Sequence, residues 1–335
     1  MTAQNDADAA AAAPSEPPVI SARNLSLFVR DGRKRIRIVS DVSFDIARGE
    51  FFALVGESGS GKTMIARAIM RLLPQRILEI EGELSFSGLS LTNLSESRMR
   101  RLRGGAMSMI FQEPMTSLDP LMEIGRQIEE TIKVHSDLSR KARQERIEQL
   151  LSEVRFDDPA KTARMYPNEL SGGMRQRAMI AIALANNPRL LIADEPTTAL
   201  DVTIQREVME IIERLRERHD LAVLFISHDI SLVHKYADRV GVLYAGVLME
   251  RGNECDVIGR SAHPYTTALL NCSPRRRVNG ERQHGIPGIV PSPLHWDAGC
   301  RFRDRCAYSD DRCAAPVPET ELHPSWSVRC VRPLS

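Results

Sequence analysis

The sequence predicts an α/β fold, in which helices cover a mostly parallel sheet, followed by a smaller, loop-rich C-terminal unit. Short apolar runs alternate with helix-favouring segments in two blocks of the chain, a rhythm typical of parallel sheets. A glycine-rich G-x-x-x-x-G-K-[ST] motif at 56–63 lies between a predicted strand and a predicted helix. After about residue 263 the alternation fades, and proline, arginine and cysteine become more frequent.

The chain has 335 residues, enough for one large domain and a smaller one. Its 45 basic and 44 acidic side chains nearly cancel, which gives no electrostatic footprint for nucleic acid. No stretch approaches 18 consecutive apolar residues, so we expect no membrane helix. Residues 1–18 lack the basic start and apolar centre of a signal peptide and are predicted to be a disordered tail. We therefore expect a cytoplasmic location and reduced thiols.

The N-terminal part is expected to supply strands on both sides of the glycine motif, at 19–28, 39–46, 51–55 and 83–86. A basic turn at 31–37 joins the first two strands. A helix at 64–73 follows the motif and ends at Pro74.

The glycine motif is a candidate phosphate-binding loop, and it consists of Gly56, Glu57, Ser58, Gly59, Ser60, Gly61, Lys62 and Thr63. Its glycines let backbone N–H groups turn toward a phosphate, and the helix N-terminus adds partial positive charge. Lys62 can reach the β- and γ-phosphates of a nucleotide, and the Thr63 hydroxyl can hold Mg²⁺. The strand–loop–helix context favours this interpretation over a chance glycine-rich turn.

The middle of the chain, roughly 90–180, is predicted to be a mainly helical insert, because 96–103 and 139–153 are charged and helix-favouring. The α/β rhythm then returns, with a helix at 202–218 and strands at 190–193, 222–227 and 240–244. Two carboxylates end the first of these strands. We expect Asp194 to help hold Mg²⁺ and Glu195 to polarise a water that attacks the γ-phosphate.

A second glycine-rich stretch, L-S-G-G-M-R-Q-R at 170–177, opens another helix with Ser171 as its N-cap. With Gly172 and Gly173, this helix start can bind an anion. Because it lacks a lysine, we expect it to complete a phosphate site formed elsewhere rather than to form one by itself. This L-S-G-G-x-x-x-R pattern, some twenty residues before the acidic strand, resembles the signature of ABC-type ATPases.

The resemblance covers about 19–262 and extends to three further positions in the family's order. Gln112 resembles the glutamine that senses Mg²⁺ and attacking water, Asp201 lies in the D-loop pattern, and His228 resembles the switch histidine at the γ-phosphate. The family implies a head-to-tail dimer that holds ATP between the phosphate loop of one chain and the Ser171 helix start of the other. Glu195 is then the general base.

One position departs from the family pattern. The family usually stacks an aromatic residue on adenine, a little over twenty residues before the phosphate loop. Here that count falls near Arg33, in a basic loop, and Phe28 is the nearest aromatic residue. An arginine plane can also stack on a base, so Arg33 and Phe28 both stay candidates.

Three stretches resemble the oligopeptide, dipeptide and nickel importer branch of the family: F-Q-E-P-M-T-S-L-D-P at 111–120, D-E-P-T-T-A-L-D at 194–201 and H-P-Y-T at 263–266. That branch implies import of peptides, nickel, opines or sugars. Its assemblies contain two transmembrane permease subunits, two ATPase subunits, identical or different, and an extracytoplasmic binding protein. The chain would then lie on the cytoplasmic face of the cell membrane.

The C-terminal unit, 263–335, contains four cysteines, Cys300, Cys306, Cys313 and Cys330, separated by five, six and sixteen residues. Zinc sites favour C-x₂₋₄-C pairs, which this set lacks, whereas wider gaps suit an iron–sulfur cluster. The importer branch implies a [4Fe–4S] cluster at such a set. Zinc and unliganded thiols remain the alternatives.

Two rival functions are consistent with an ABC-type ATPase. One is a soluble ATPase that acts on DNA or ribosomes, which usually has a long coiled coil or two ATPase halves; neither is found in this sequence. The other is an exporter, which the importer-like motifs disfavour.

Overall fold

The computed structural model of the protein describes residues 16–74, 76–111, 117–197, 201–272 and 285–334. Residues 1–15 of the predicted tail lie outside these ranges. The strands are β1 Ile20–Asp31, β2 Lys34–Ile46, β3 Phe51–Val55, β4 Leu78–Phe86, β5 Leu89–Ser90, β6 Met107–Ile110, β7 Leu190–Asp194, β8 Ala222–Ser227, β9 Arg239–Tyr244, β10 Val247–Asn253, β11 Thr320–His323 and β12 Trp326–Val328.

The helices are α1 Lys62–Ile69, α2 Glu96–Leu102, α3 Ile124–His135, α4 Arg140–Glu153, α5 Pro159–Thr162, α6 Gly172–Ala183, α7 Val202–His219, α8 Ile230–Tyr236, α9 Glu254–Val257 and α10 Pro264–Asn271. Short 3₁₀ turns cover Pro167–Glu169, Pro293–His295, Arg303–Arg305 and Asp311–Ala314. All helices in the described ranges are too short or too polar to cross the hydrocarbon core of a membrane.

A small antiparallel sheet, in the order β2-β1-β4-β5, contains the N-terminal strands. The predicted basic turn at 31–37 is too long, because β2 begins at Lys34, which pairs with Asp31 across the hairpin. Arg35 lies on β2, and its guanidinium contacts the Glu79 carboxylate on β4 at 2.9 Å. Such cross-strand charge pairs allow basic residues in an exposed strand.

The large sheet has the order β11-β12-β10-β9-β3-β8-β7-β6. The five strands from β9 to β6 are parallel, and β10, β12 and β11 are antiparallel to their neighbours. Phe51, Ala53 and Val55 of β3 enter the core shared with the helices, whereas Phe52 and Leu54 enter the core beneath the small sheet. This alternation follows from the two-residue period of a strand. Because β3, β8 and β7 are parallel neighbours, their carboxyl ends meet at one edge of the sheet.

The range 90–180 is mainly helical, but it also contains β6, which pairs in parallel with β7. The four residues of β6 lie inside a range whose flanking segments favour helix, so the sequence does not separate this strand from the helical insert. Ser139 begins α4 as its N-cap, since its Oγ accepts from the Ala142 N–H at 3.2 Å. Helix α1 ends at Ile69, earlier than predicted, and Arg71 adopts a left-handed φ of 47°.

Among the described residues, the C-terminal part packs on the large sheet and shares its core. Strand β12 pairs with β10 and extends that sheet. Phe302, 2% exposed, packs between Tyr244 of β9 and Tyr265 of α10, with ring centres 5.3 and 5.2 Å away. Both strands of the C-terminal hairpin are only three or four residues long, so their pattern does not distinguish them from loop.

Candidate functional site

The predicted phosphate loop connects β3 to α1, and its backbone requires glycine at two positions. A Cβ on Gly56 would lie 2.0 Å from the Leu243 carbonyl oxygen, and Gly56 has a φ of 150°. Gly61, the N-cap of α1, has a φ of 105°. Side chains are excluded at both positions by contact or by backbone strain.

Lys62 points back into this loop. Its Nζ donates to the Gly56 and Glu57 carbonyl oxygens at 2.8 and 3.0 Å, and the residue is 5% exposed. Burial lowers the pKa of Lys62, and the nearby carboxylates of Glu195 and Asp194 oppose that shift. The ammonium is therefore held at the centre of the loop, where a phosphate group would compensate its burial.

Thr63 and Asp194 form the candidate Mg²⁺ site. The Thr63 Oγ1 donates to the Asp194 Oδ1 at 3.1 Å. Burial raises the pKa of Asp194, which is 3% exposed, and the Thr63 hydrogen bond opposes the rise. A hydroxyl beside a carboxylate is an oxygen donor set that suits Mg²⁺, so the residues present fit the ion.

Glu195 and His228 meet at the ends of neighbouring strands. His228 Nδ1 lies 3.3 Å from Glu195 Oε2, and their side chains are 61% and 15% exposed. Glu195 has a left-handed φ of 48°, a strained conformation for a residue with a side chain. A half-buried carboxylate oriented by a histidine is an arrangement that can activate a water.

A cavity of about 470 Å³ adjoins the loop. Its lining comprises Val29, Ile38, Ser58, Gly59, Gly61, Lys62, Thr63, Met64, Glu195 and Pro293. Neither candidate for adenine stacking is among these residues. Phe28 is 3% exposed and covered by the Arg35 guanidinium, 3.4 Å from the ring centre, and Arg33 is exposed in the β1–β2 turn. The apolar wall beside the loop consists instead of Val29, Ile38 and Pro293.

The second glycine-rich stretch lies at the surface. Ser171 is exposed, and its Oγ accepts from the Met174 N–H at 3.3 Å at the start of α6. A Cβ on Gly173 would lie 2.6 Å from Ile204 Cγ2 of α7, so the close helix contact requires glycine. Ser171 is not among the described residues that line the cavity at the phosphate loop.

Asp201 is the N-cap of α7, where its Oδ1 accepts from the Thr203 and Ile204 N–H groups at 3.0 and 2.9 Å. Gln112 lies outside the described residues, as do 113–116 and 198–200. Its role as a sensor of Mg²⁺ and water therefore stays a prediction.

Two of the four C-terminal cysteines are joined by a backbone hydrogen bond. The Cys300 N–H donates to the Cys313 carbonyl oxygen at 2.9 Å. Burial raises the pKa of Cys300 to about 11, and the thiols of Cys313, Cys330 and Cys306 add to the rise. In the part of the chain that the structure describes, no three Cys, His, Asp or Glu side chains converge closely enough to hold a metal ion.

Two residues for which the sequence predicted no role at the site contact the phosphate loop. The Tyr265 hydroxyl accepts from the Glu57 N–H at 2.9 Å. Arg305 donates to both carboxylate oxygens of Glu57, at 3.0 Å each. No local pattern separates Arg305 from Arg301 or Arg303, so sequence reasoning had no signal for it.

Two family models match the chain. The ABC transporter model matches residues 39–198, and the model of the oligopeptide/dipeptide transporter C-terminal region matches 249–313. A probable peptide ABC transporter ATP-binding protein of Sinorhizobium fredii is 43% identical over 95% of this chain and 96% of its own length. A putative peptide import ATP-binding protein of Brucella abortus is 42% identical over 93% of this chain and 94% of its own.

Solved structures agree in fold. A dimeric ATP-binding cassette in a post-hydrolysis state, bound to ADP and Pi, is 27% identical, with a TM-score of 0.62 over 70% of this chain and 98% of that one. The structure of cbiO1 from Clostridium perfringens, part of the ABC transporter complex cbiONQ, has the same fold at a TM-score of 0.63 and 22% identity, over 73% of this chain and 92% of that one. Since its relatives match along almost the entire length, the chain belongs to the family of ABC transporter ATP-binding proteins, whose ATPase domain it carries.

Proposed function

We propose that this protein is the ATP-hydrolysing subunit of an importer for peptides or a related small solute such as nickel, an opine or a sugar. The peptide-import names of relatives above 40% identity support the substrate class. The main support for ATP hydrolysis is the contact between Glu195 and His228, 3.3 Å apart. Glu195 lines the same cavity as Lys62 of the phosphate loop.

Each residue has a defined part in hydrolysis. The loop N–H groups and Lys62 bind the phosphates, and Thr63 and Asp194, with Gln112, hold Mg²⁺. The ion supplies charge neutralisation on the phosphate oxygens. Glu195 polarises the attacking water, and His228 contacts the γ-phosphate and orients the attack.

Two copies, or this chain and a related ATPase, form a head-to-tail dimer. The helix start of a second chain, with Ser171, Gly172 and Gly173, completes each site, and Asp201 lies at the seam. The exposure of Ser171 and the dimeric state of the related cassette support this arrangement. The helical insert then passes the opening and closing of the dimer to the membrane partners.

The partners are two transmembrane permease subunits and, indirectly, an extracytoplasmic binding protein. The chain is peripheral on the cytoplasmic face of the cell membrane, and nucleic acid is not a partner. The match of the C-terminal region to the oligopeptide/dipeptide transporter model supports this assignment. Affinity purification from membranes tests it: permease subunits should co-purify, whereas ribosomes or DNA would favour the rival function.

We also propose that Cys300, Cys306, Cys313 and Cys330 bind a [4Fe–4S] cluster, with Zn²⁺ as the alternative. The support is the spacing of these cysteines, whose gaps of five, six and sixteen residues are wider than those of zinc-binding pairs, together with the backbone hydrogen bond between Cys300 and Cys313. Protein purified without oxygen should be brown and absorb near roughly 400 nm. A Cys313→Ser variant should lose iron and colour, and a colourless wild type that contains zinc would reject the cluster.

The base assignment is tested with Glu195→Gln. The variant should keep ATP binding but lose steady hydrolysis by roughly 100-fold or more, because an amide cannot accept the proton. Glu217→Gln, on the exposed face of α7, is the matched control and should keep turnover. Hydrolysis at wild-type rate in Glu195→Gln would reject Glu195 as the base.

A further inference from the structure

The segment between the first two C-terminal cysteines, residues 300–306, lies directly beneath the phosphate loop. Phe302 anchors it in the core between Tyr244 and Tyr265. The two arginines on either side of this anchor, Arg301 and Arg305, reach toward the ATP site. The segment thus belongs to the same packed unit as the loop, although about 240 residues separate them in sequence.

Arg305 makes the direct contact. Its guanidinium, 5% exposed, forms a two-pronged ion pair with the Glu57 carboxylate, with both N–O distances 3.0 Å. It also donates to the Tyr244 hydroxyl at 3.1 Å and to the Pro287 and Ile286 carbonyl oxygens at 2.7 and 3.2 Å. A guanidinium with this many partners has a fixed orientation, and it therefore fixes the orientation of Glu57.

Two further contacts hold the loop from the same side. The Tyr265 hydroxyl accepts from the Glu57 backbone N–H at 2.9 Å. Arg301 donates to the Ala245 carbonyl oxygen, and its other Nη lies 2.6 Å from the Ser40 Oγ. The neighbouring Gly246 N–H donates to the Ser60 carbonyl oxygen at 2.8 Å. The loop is thus fixed at its second residue and at its fifth.

We propose that Arg305 is a positioning residue for ATP binding, which holds the phosphate loop open through Glu57. A phosphate loop binds by presenting backbone N–H groups in a fixed curve, so its affinity depends on how little it must reorganise when the nucleotide enters. Arg305 fixes that curve from outside the site, since it is not among the described residues that line the cavity at the loop. The inference rests on ATP binding at this loop.

The test uses full-length Arg305→Met, which keeps an unbranched apolar stem but removes the charged guanidinium. ATP affinity, measured by nucleotide titration, should fall by about tenfold, the effect typical of residues that orient a binding group. The rate at saturating ATP should change less than about twofold. Arg303→Met, from the same turn but paired with Asp297 and Asp304, should match the wild type. Undiminished ATP affinity in Arg305→Met would overturn the proposal.

A double-mutant cycle separates positioning from general stability. If Arg305 acts through Glu57, Glu57→Gln combined with Arg305→Met should weaken ATP binding no more than Arg305→Met alone. Additive losses would also overturn the proposal. Arg305→Lys keeps the charge and serves if the Met variant fails to fold; its ATP affinity should be reduced, and a wild-type value would count against the two-pronged contact. Failure of the wild type to bind ATP would instead reject the proposed function.

Discussion

Glu195 shows which features of the site follow from the local sequence and which depend on the fold. Glu195 and Asp194 were predictable as acids at the end of a buried strand. Lys62 was predictable from the glycine motif. The left-handed φ of 48° at Glu195 and the contact of Glu195 with His228 depend on the pairing of β7 with β8. Local motifs therefore identify the reacting groups, and the sheet supplies their relative positions.

The contacts that sequence reasoning missed are long-range. Arg305 and Glu57 lie 248 positions apart, and no periodicity or motif connects them. The apolar wall beside the loop has the same origin, because Pro293 reaches it from the C-terminal part. Arg33 lies in an exposed hairpin turn, and Phe28 is covered by Arg35; their roles in stacking on adenine stay predictions.

His263 should make stability depend on pH. Burial lowers its pKa to about 3, while an unfolded histidine titrates near roughly 6.5. Below that value the unfolded chain binds a proton that the folded chain does not, so acid favours unfolding. The free energy of unfolding should fall by about 1.4 kcal/mol per pH unit from this residue alone, between about pH 6 and 3.

The variant His263→Asn isolates this contribution. His263 Nδ1 accepts from the Tyr265 N–H at 2.9 Å as the N-cap of α10, and an asparagine oxygen can replace it without titrating. Denaturant unfolding at pH 7 and 5 should show a smaller loss of stability in the variant. Equal losses in both proteins would mean that His263 is protonated in the folded state or does not titrate alone.

At the scale of elements, the central strands of the large sheet and the helix after the acidic strand were predicted well, whereas some strands at its edges were not. Helix α7 was expected at 202–218 and spans Val202–His219; β8 matches its predicted range. Strands β6 and β12 were missed, because β6 lies within the range predicted to be a helical insert and β12 within the loop-rich C-terminal unit. Both gain their stability from neighbouring strands, and β12 makes the C-terminal part a continuation of the large sheet.

Phe302 should be the main apolar attachment of the C-terminal part to that sheet. Phe302→Ala removes a buried ring between two tyrosines and should lower the free energy of unfolding by about 3–4 kcal/mol. Tyr308→Ala, whose ring is 54% exposed, is the control and should change it by less than about 1 kcal/mol. Denaturant unfolding measures both, and equal effects would show that Phe302 contributes no more than a surface residue.

At the scale of the whole molecule, the two features proposed to bind phosphate have different surroundings. Lys62 lies buried in a loop that adjoins a cavity, whereas Ser171 begins a helix at the exposed surface. The lysine-free helix start can bind an anion only as part of a site supplied by another loop. The pairing of these two features between chains is the claim on which the mechanism depends.

Mixing two inactive variants tests that claim most directly. Lys62→Ala destroys the loop and keeps Ser171, whereas Ser171→Arg keeps the loop and blocks the helix start; each alone should lose the ATPase activity of the wild-type chain. If each site is shared between chains, the mixed dimer contains one intact site, and an equal mixture should regain about a quarter of wild-type turnover. A mixture as inactive as its components, or a Ser171→Arg chain that hydrolyses ATP by itself, would contradict a shared site.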